Sequence, residues 1–292
     1  MTRPRICILT PCLNQATVLA QTIESVLEQG YANLEYIIMD GGSTDDSHQV
    51  IRQYEDKITS WCSGHNGGVA DALNRGISQC TGDIIAYLQP GQTYLPNTLN
   101  LVADLMSGEH AASWLVGSRQ TVDADGRKTH SRESSRPAGL VEYLCGESGY
   151  LPHASSFWQT NLFYDYGYFA LDLQACFDYE LNCRLLASGE QPQVIDMILS
   201  CEQSHTESWQ AQHQINAMTQ AIEVAHRYEL MLSMTDRIKL IRNIGYRQRF
   251  SAIQQAKMRT GASLWAKVIT KPWWLASSDI RHALIHPEKV AA

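Results

Sequence analysis

An aspartate followed by two glycines closes an apolar run in YIIMDGGSTDDS, and this is the first place where the 292-residue chain could do chemistry. A carboxylate at a strand tip can accept from the N–H of a base or from a ribose hydroxyl, and Gly41-Gly42 let a flat ligand approach the backbone. Asp40 could equally cap local amides in a turn, with Ser43 or Thr44 capping the next helix, and both readings stay open on these residues. A second polar exit, Thr10-Pro11-Cys12-Leu13-Asn14, follows the apolar run Ile6–Leu9. In VADALNRGI, Asp71 and Arg75 stand at i,i+4 on one helix face, the spacing of an ion pair. FDYELNCRLL starts a helix with Asp178, the position of an N-cap or of a general base set over a cleft. Glu180 and Arg184, again i,i+4, read as a structural pair. The contrast comes in DIIAYLQPGQTYLP, where the run Ile84–Leu88 reaches the edge at which α/β sheets hold ligands and delivers Gln89-Pro90-Gly91-Gln92, without a charge.

The elements that must position these residues alternate regularly. Strands are expected at Ile6–Leu9, Leu34–Met39, Ile58–Cys62 and Ile84–Leu88. Helices between them are expected at Val18–Gln29, about Asp45–Tyr54 and Gly68–Cys80, the first and third apolar on one face. Such alternation predicts right-handed crossovers and a mostly parallel sheet. A further helix, roughly Asn97–Met106, precedes a hairpin whose turn holds Asp125-Gly126, and Ser131–Gly139 reads as an irregular loop. A helix at Phe177–Ala187 and a strand at Val194–Cys201 follow, then helix from Glu207 to about Lys267. The expected organisation is an α/β domain at 1–205 and a helical extension at 206–292.

Composition narrows the class. An apolar fraction of 44% and a charged fraction of 18% belong to an ordinary globular protein, and no segment approaches a membrane span. The apolar run near the N-terminus is too short for a signal peptide, so a cytoplasmic protein with eight reduced cysteines is expected. No GxGxxG follows the first strand, which disfavours a dinucleotide oxidoreductase. Residues 235–275 carry nine lysines and arginines against Asp236 alone, a net +8 that leaves −15 for the remainder of a chain of net −7. Mixed with Ile, Phe and Trp, these cations suit a helix lying on an anionic membrane. They equally suit a solvated helical pair packed on the catalytic domain or another subunit, and without a recognition motif nucleic acid is not the expected partner.

Taken in order, ICILTPCLNQATVLAQTIESVLEQGYANLEYIIMDGGSTDDS, GGVADALNRGISQCTGDIIAYLQPGQTYLP and FDYELNCRLLASG resemble the family 2 nucleotide-sugar glycosyltransferases, inverting enzymes with the GT-A fold. The resemblance runs from Arg5 to about Leu101 and resumes from Leu151 to His205. It implies that Thr10, Pro11 and Asp40 line a nucleoside pocket, with Asp40 against the base, that Asp71 closes the pocket near the ribose, and that Arg75 meets the diphosphate. Asn14, Gly41, Gly42, Gln89 and Gln92 complete the implied nucleotide-sugar set. Asp178 aligns with the base that deprotonates the acceptor hydroxyl, although Phe177 replaces the family acid before it. His153 and the aromatics after it fall where the family builds its acceptor side.

The chain departs from the family at the fourth strand. Leu-Asn-Ser-Asp-Asp is the usual ending there, its carboxylates holding magnesium or manganese on the diphosphate, whereas Gly91 and Gln92 stand in the places of the two aspartates. An amide carbonyl is a poor substitute for hard anionic oxygen. Three readings follow: diphosphate held by cations and backbone N–H groups without metal, a weak metal held by phosphates and His205, or a silent sugar-nucleotide-binding partner of another transferase. The expected activity is transfer from a UDP-sugar to a hydroxyl of a glycan or polyprenyl-linked acceptor, as in bacterial surface polysaccharide assembly, on the inner face of the membrane.

Overall fold

The computed structural model describes residues 3–65, 67–123, 127–203, 207–258 and 268, in two compact units. The first, Met1–Tyr143 with Ser148–Ser204, is an α/β unit. It runs β1 (Ile6–Cys12), α1 (Ala16–Leu27), β2 (Leu34–Asp40), α2 (Ser47–Arg52), β3 (Ser60–Ser63), α3 (Val69–Gln79), β4 (Ile84–Tyr87), β5 (Gln92–Tyr94) and α4 (Thr98–Leu105). Then come β6 (Trp114–Val122), β7 (Lys128–Arg132), α5 (Leu140–Cys145), β8 (Ser156–Gln159), α6 (Asn161–Tyr166), α7 (Phe177–Ala187) and β9 (Gln193–Gln203). The second unit, Leu144–Glu147 with His205–Ala292, holds α8 (Glu207–Tyr228) and α9 (Met234–Met258).

One sheet in the order β3-β2-β1-β4-β8-β6-β9-β5 forms the first unit, with β7 on β6. The first four strands are mutually parallel, and Cys12 pairs with Asp40 as Asp40 pairs with Ser63, so three strand exits lie side by side. Beyond β4 the sheet is mixed, with β6 and β9 parallel and β8 antiparallel to both its neighbours. Strand alternation sends Ile6 and Ile8 of β1 into a cluster with Leu19, Ile23 and Val26 of α1. Leu9 and Met39 take the opposite face, where α3 packs against them at Gly76.

The expected strand-helix order is present, with the third strand two residues later than read because Ile58 closes a turn onto the Tyr54 carbonyl. Residues 131 and 132, expected in a loop, continue β7. Strands β5 and β8 had no counterpart in the sequence reading.

Candidate active site

The exits of β1 and β2 are tied together strand to strand. Gly41 N–H donates to the Cys12 carbonyl at 2.8 Å, and Asn14, at a left-handed φ of 53°, donates its N–H to Ser43 Oγ at 2.8 Å. The Asn14 side-chain carbonyl accepts the Thr44 N–H at 2.8 Å, and the Ala16 N–H reaches Asp45 at 3.0 Å. Asp40 sits at the centre of this clamp with its side chain wholly buried. Its Oδ2 accepts from the Gly42 and Ser43 N–H groups, both at 3.0 Å, from Ser63 Oγ at 2.6 Å, and from His48 Nε2 at 2.8 Å. Ser43 Oγ also donates to Oδ1. Burial alone would raise this carboxyl, but the bonds from Ser43, Ser63 and His48 outweigh it and hold the pKa at about 2. Gly42 supplies the positive φ, +87°, that closes the turn.

Two residues expected to face the nucleoside therefore face the protein. Asp40 spends its carboxylate on the turn, the capping reading left open above. Thr10 lies on the Ile6 and Ile8 face by strand alternation, is fully buried, and pairs its hydroxyl with Tyr36 at 3.0 Å. Pro11 and Gly41 are buried, while Gly42 and Asn14 are exposed on the rim. Asp71 caps the loop before α3, accepting the Gly67 N–H at 3.1 Å, and no ion pair joins it to Arg75 among the described residues. Arg75 is exposed. The start of α3 abuts the segment before α7, where a Cβ on Gly68 would come within 2.9 Å of Gln174.

At the β4 exit the Gln-Pro-Gly-Gln turn is closed by its own amides. The Gln89 N–H donates to Gln92 Oε1 at 3.0 Å and the Gln92 N–H to the Gln89 carbonyl at 3.0 Å. Gln92 then opens β5, buried, opposite Glu202 of β9. From it a polar chain runs in both directions. Gln92 Nε2 donates to Glu202 Oε1 at 3.1 Å, and Glu202 pairs with Arg119. His153 Nε2 lies 2.9 Å from Gln92 Nε2 and 3.1 Å from its Oε1, and His153 Nδ1 lies 3.4 Å from Asp178 Oδ2. The His153 ring stacks on Tyr87 at 4.9 Å, nearly parallel.

Asp178, in the first turn of α7, keeps 24% of its side chain exposed and takes the Tyr179 N–H at 2.8 Å. Glu180 and Arg184 pair at 2.6 Å, and Arg184 also donates to the Tyr166 and Tyr168 carbonyls, so that pair anchors α7 as expected of a structural one. Of the aromatics after His153, Trp158, Phe163 and Phe169 are core and Tyr164 is exposed. The sequence places His153 on the acceptor side and gives Arg119 and Glu202 no part, because Glu202 meets Gln92 through a β5–β9 register that no local pattern announces.

At the β4 exit, where the resemblance implies a divalent metal, the donor set does not fit one. Gly91 has no side chain there, and the Gln92 amide is buried and already bonded to Gln89, Glu202 and His153. His205 lies outside the described residues.

Parallel strands with mutually clamped exits, and an acidic helix start facing the fourth, define a GT-A-type α/β domain. The chain belongs to glycosyl transferase family 2, whose model matches residues 7–178. The uncharacterized glycosyltransferase Rv1514c of Mycobacterium tuberculosis (strain ATCC 25618 / H37Rv) is 29% identical over 185 residues, 62% of this chain and 68% of that protein. The uncharacterized glycosyltransferase alr2836 of Nostoc sp. (strain PCC 7120 / SAG 25.82 / UTEX 2576) is 30% identical over 129 residues, 41% of this chain and 40% of that one. Among solved structures, S. aureus TarS superposes with a TM-score of 0.64 at 17% identity, covering 98% of this chain, which spans half of TarS. TarS 1–349 in complex with UDP-GlcNAc gives 0.59 at 12% identity, covering 92% of each chain. The mannosyltransferase PcManGT from Pyrobaculum calidifontis, in complex with GDP-Man and Mn2+, gives 0.56 at 16% identity, covering 97% of this chain and 83% of that one. These structures share the fold.

Proposed function

We propose that the chain transfers a glycosyl group from a nucleotide sugar, a UDP-sugar, to a hydroxyl of a glycan or lipid-linked acceptor with inversion. The acceptor oxygen attacks the anomeric carbon as its proton passes to Asp178, and the bond to the diphosphate oxygen breaks with its electron pair on the nucleoside diphosphate. The carrying observation is Asp178 itself, part-exposed at the start of α7 and in line with the β4 exit through His153 and Gln92. Asn14, Gly41, Gly42 and Asp71 frame the nucleoside side, with Asp40 holding that side in shape from beneath. The diphosphate meets Arg75 and backbone N–H groups rather than a metal held by two aspartates, charge stabilisation that needs no ion. That a neighbour of this fold binds UDP-GlcNAc supports the donor class.

Asp178→Asn should abolish transfer while leaving nucleotide affinity, measured by calorimetry, nearly unchanged. Retained turnover in that variant would remove Asp178 from the mechanism. The loss of both metal aspartates also favours a second reading, a silent sugar-nucleotide-binding partner, and nucleotide binding without turnover across a broad acceptor screen would select it. The basic second unit suits a polyprenyl-linked acceptor at an anionic membrane surface in polysaccharide assembly.

A further inference from the structure

We propose that His153 is a positioning residue for Asp178, and that Gln92, in the place of the second family aspartate, orients its imidazole. This rests on Asp178 being the base.

Stacking on Tyr87 fixes the plane of the His153 ring, so its two nitrogens have fixed targets. Nδ1 lies 3.4 Å from Asp178 Oδ2, and Nε2 lies against the Gln92 amide. That amide has one orientation. Its Oε1 accepts the Gln89 N–H and its Nε2 donates to Glu202, with His153 Nε2 2.9 Å from Nε2, which has a second N–H to give, and 3.1 Å from Oε1. With the amide N–H donating to Nε2, a neutral His153 carries its proton on Nδ1, on the side of Asp178. With the Tyr179 N–H on Oδ1, the carboxylate is held from both sides and its remaining lone pairs are available to an acceptor hydroxyl. Burial raises the Tyr87 hydroxyl, and the Asp178 charge adds to the rise, which places that charge beside the ring His153 lies on.

A glutamine suits this arrangement better than a carboxylate. Negative charge at position 92 would sit against Nε2 and beside Glu202, favouring the imidazolium, which pairs with Asp178 and weakens it as a base. The groups around the imidazole are Asp178 on α7, Glu202 on β9 reached through Gln92, Arg119 on β6 and Tyr87 on β4.

The test compares two amides at 153 by steady-state kinetics with UDP-sugar donors, over a range of pH. His153→Gln keeps an amide near the Nε2 position and loses the donor toward Asp178. Its kcat should fall about ten- to a hundredfold, with the KM for the donor sugar changed less than about threefold. His153→Asn keeps an N–H near the Nδ1 position, so it should recover roughly tenfold over His153→Gln. Wild-type kcat in His153→Gln, or equal losses in both variants, would overturn the proposal. Asp178→Asn, assayed alongside, separates the two claims: if it is inactive while His153→Gln is fully active, only the role of His153 fails; if it is active, the base assignment fails first. Melting temperatures on both His153 variants identify a folding loss, and if only one folds, its own kcat against its donor KM decides.

Discussion

Asp40 shows how far a residue can be read from its neighbours in the chain. DGGS announces a turn, and the sequence leaves open whether the carboxylate serves the turn or a ligand. Only the packing of Ser63 and His48 against it, from β3 and α2, decides that it serves the turn. The same is true of Thr10, whose buried side follows from strand alternation but whose partner, Tyr36, does not. The consequence for Asp40 is measurable. Its carboxyl falls from an ordinary 3.8 to about 2 in the folded chain, so the folded state binds that proton less tightly than the unfolded one. The charged carboxylate therefore contributes stability above the ordinary carboxylate range, and this fades as pH falls through about 4 toward 2. At about 1.36 kcal/mol per unit the contribution is about 2 kcal/mol. Asp40→Asn should unfold at lower urea than wild type near neutrality, with the gap closing on acidification; a gap independent of pH would mean that the ionised bonds carry no such weight.

At the scale of elements, long periodic segments were legible and short paired ones were not. Helix α7 matched its reading from Phe177 to Ala187 because its apolar spacing and Gly189 mark both ends. Strand β5 is three residues, Gln-Thr-Tyr, with no pattern of its own, and exists because β9 pairs with it. The turn between β4 and β5 was thus seen as chargeless, but not as the start of a strand that buries Gln92. Gly91 in that turn has a φ of +89°, where a Cβ is strained. Gly91→Asp should therefore cost about 1–2 kcal/mol in chemical denaturation. It should not create a manganese-stimulated rate, since one strained carboxylate beside a fully bonded Gln92 is a poor metal site. EDTA should likewise leave most of the wild-type rate. Complete loss in EDTA, restored by manganese, would show that another set of ligands holds a metal.

The whole molecule is two units of opposite charge, and that asymmetry was plain in the sequence while the surface that carries it was not. In the second unit α8 packs on α9, with Val224, Ala225, Tyr228, Leu240 and Ile244 buried. Leu230, Met231, Met234, Ile238 and Ile241 remain exposed, the last three at helical spacing along α9. Arg242, exposed, adjoins this stripe, while Arg237 and Lys239 are paired with Glu229 and Glu147. Beyond Met258 the basic stretch, residues 259–267 and 269–275, lies outside the described residues. Among the described residues no helix is long and apolar enough to cross a membrane, so a contact of this kind would lie along the surface. An apolar stripe beside an exposed cation binds by burying area and by attraction to anionic headgroups, and only the second part is screened by salt. The full chain should co-sediment with phosphatidylglycerol-containing vesicles at low ionic strength and release largely at about 0.5 M salt. Met234→Asp with Ile238→Asp should weaken binding at every salt concentration, because it removes the apolar part. Equal sedimentation with purely zwitterionic vesicles, or none with anionic ones, would assign the stripe to a protein partner instead.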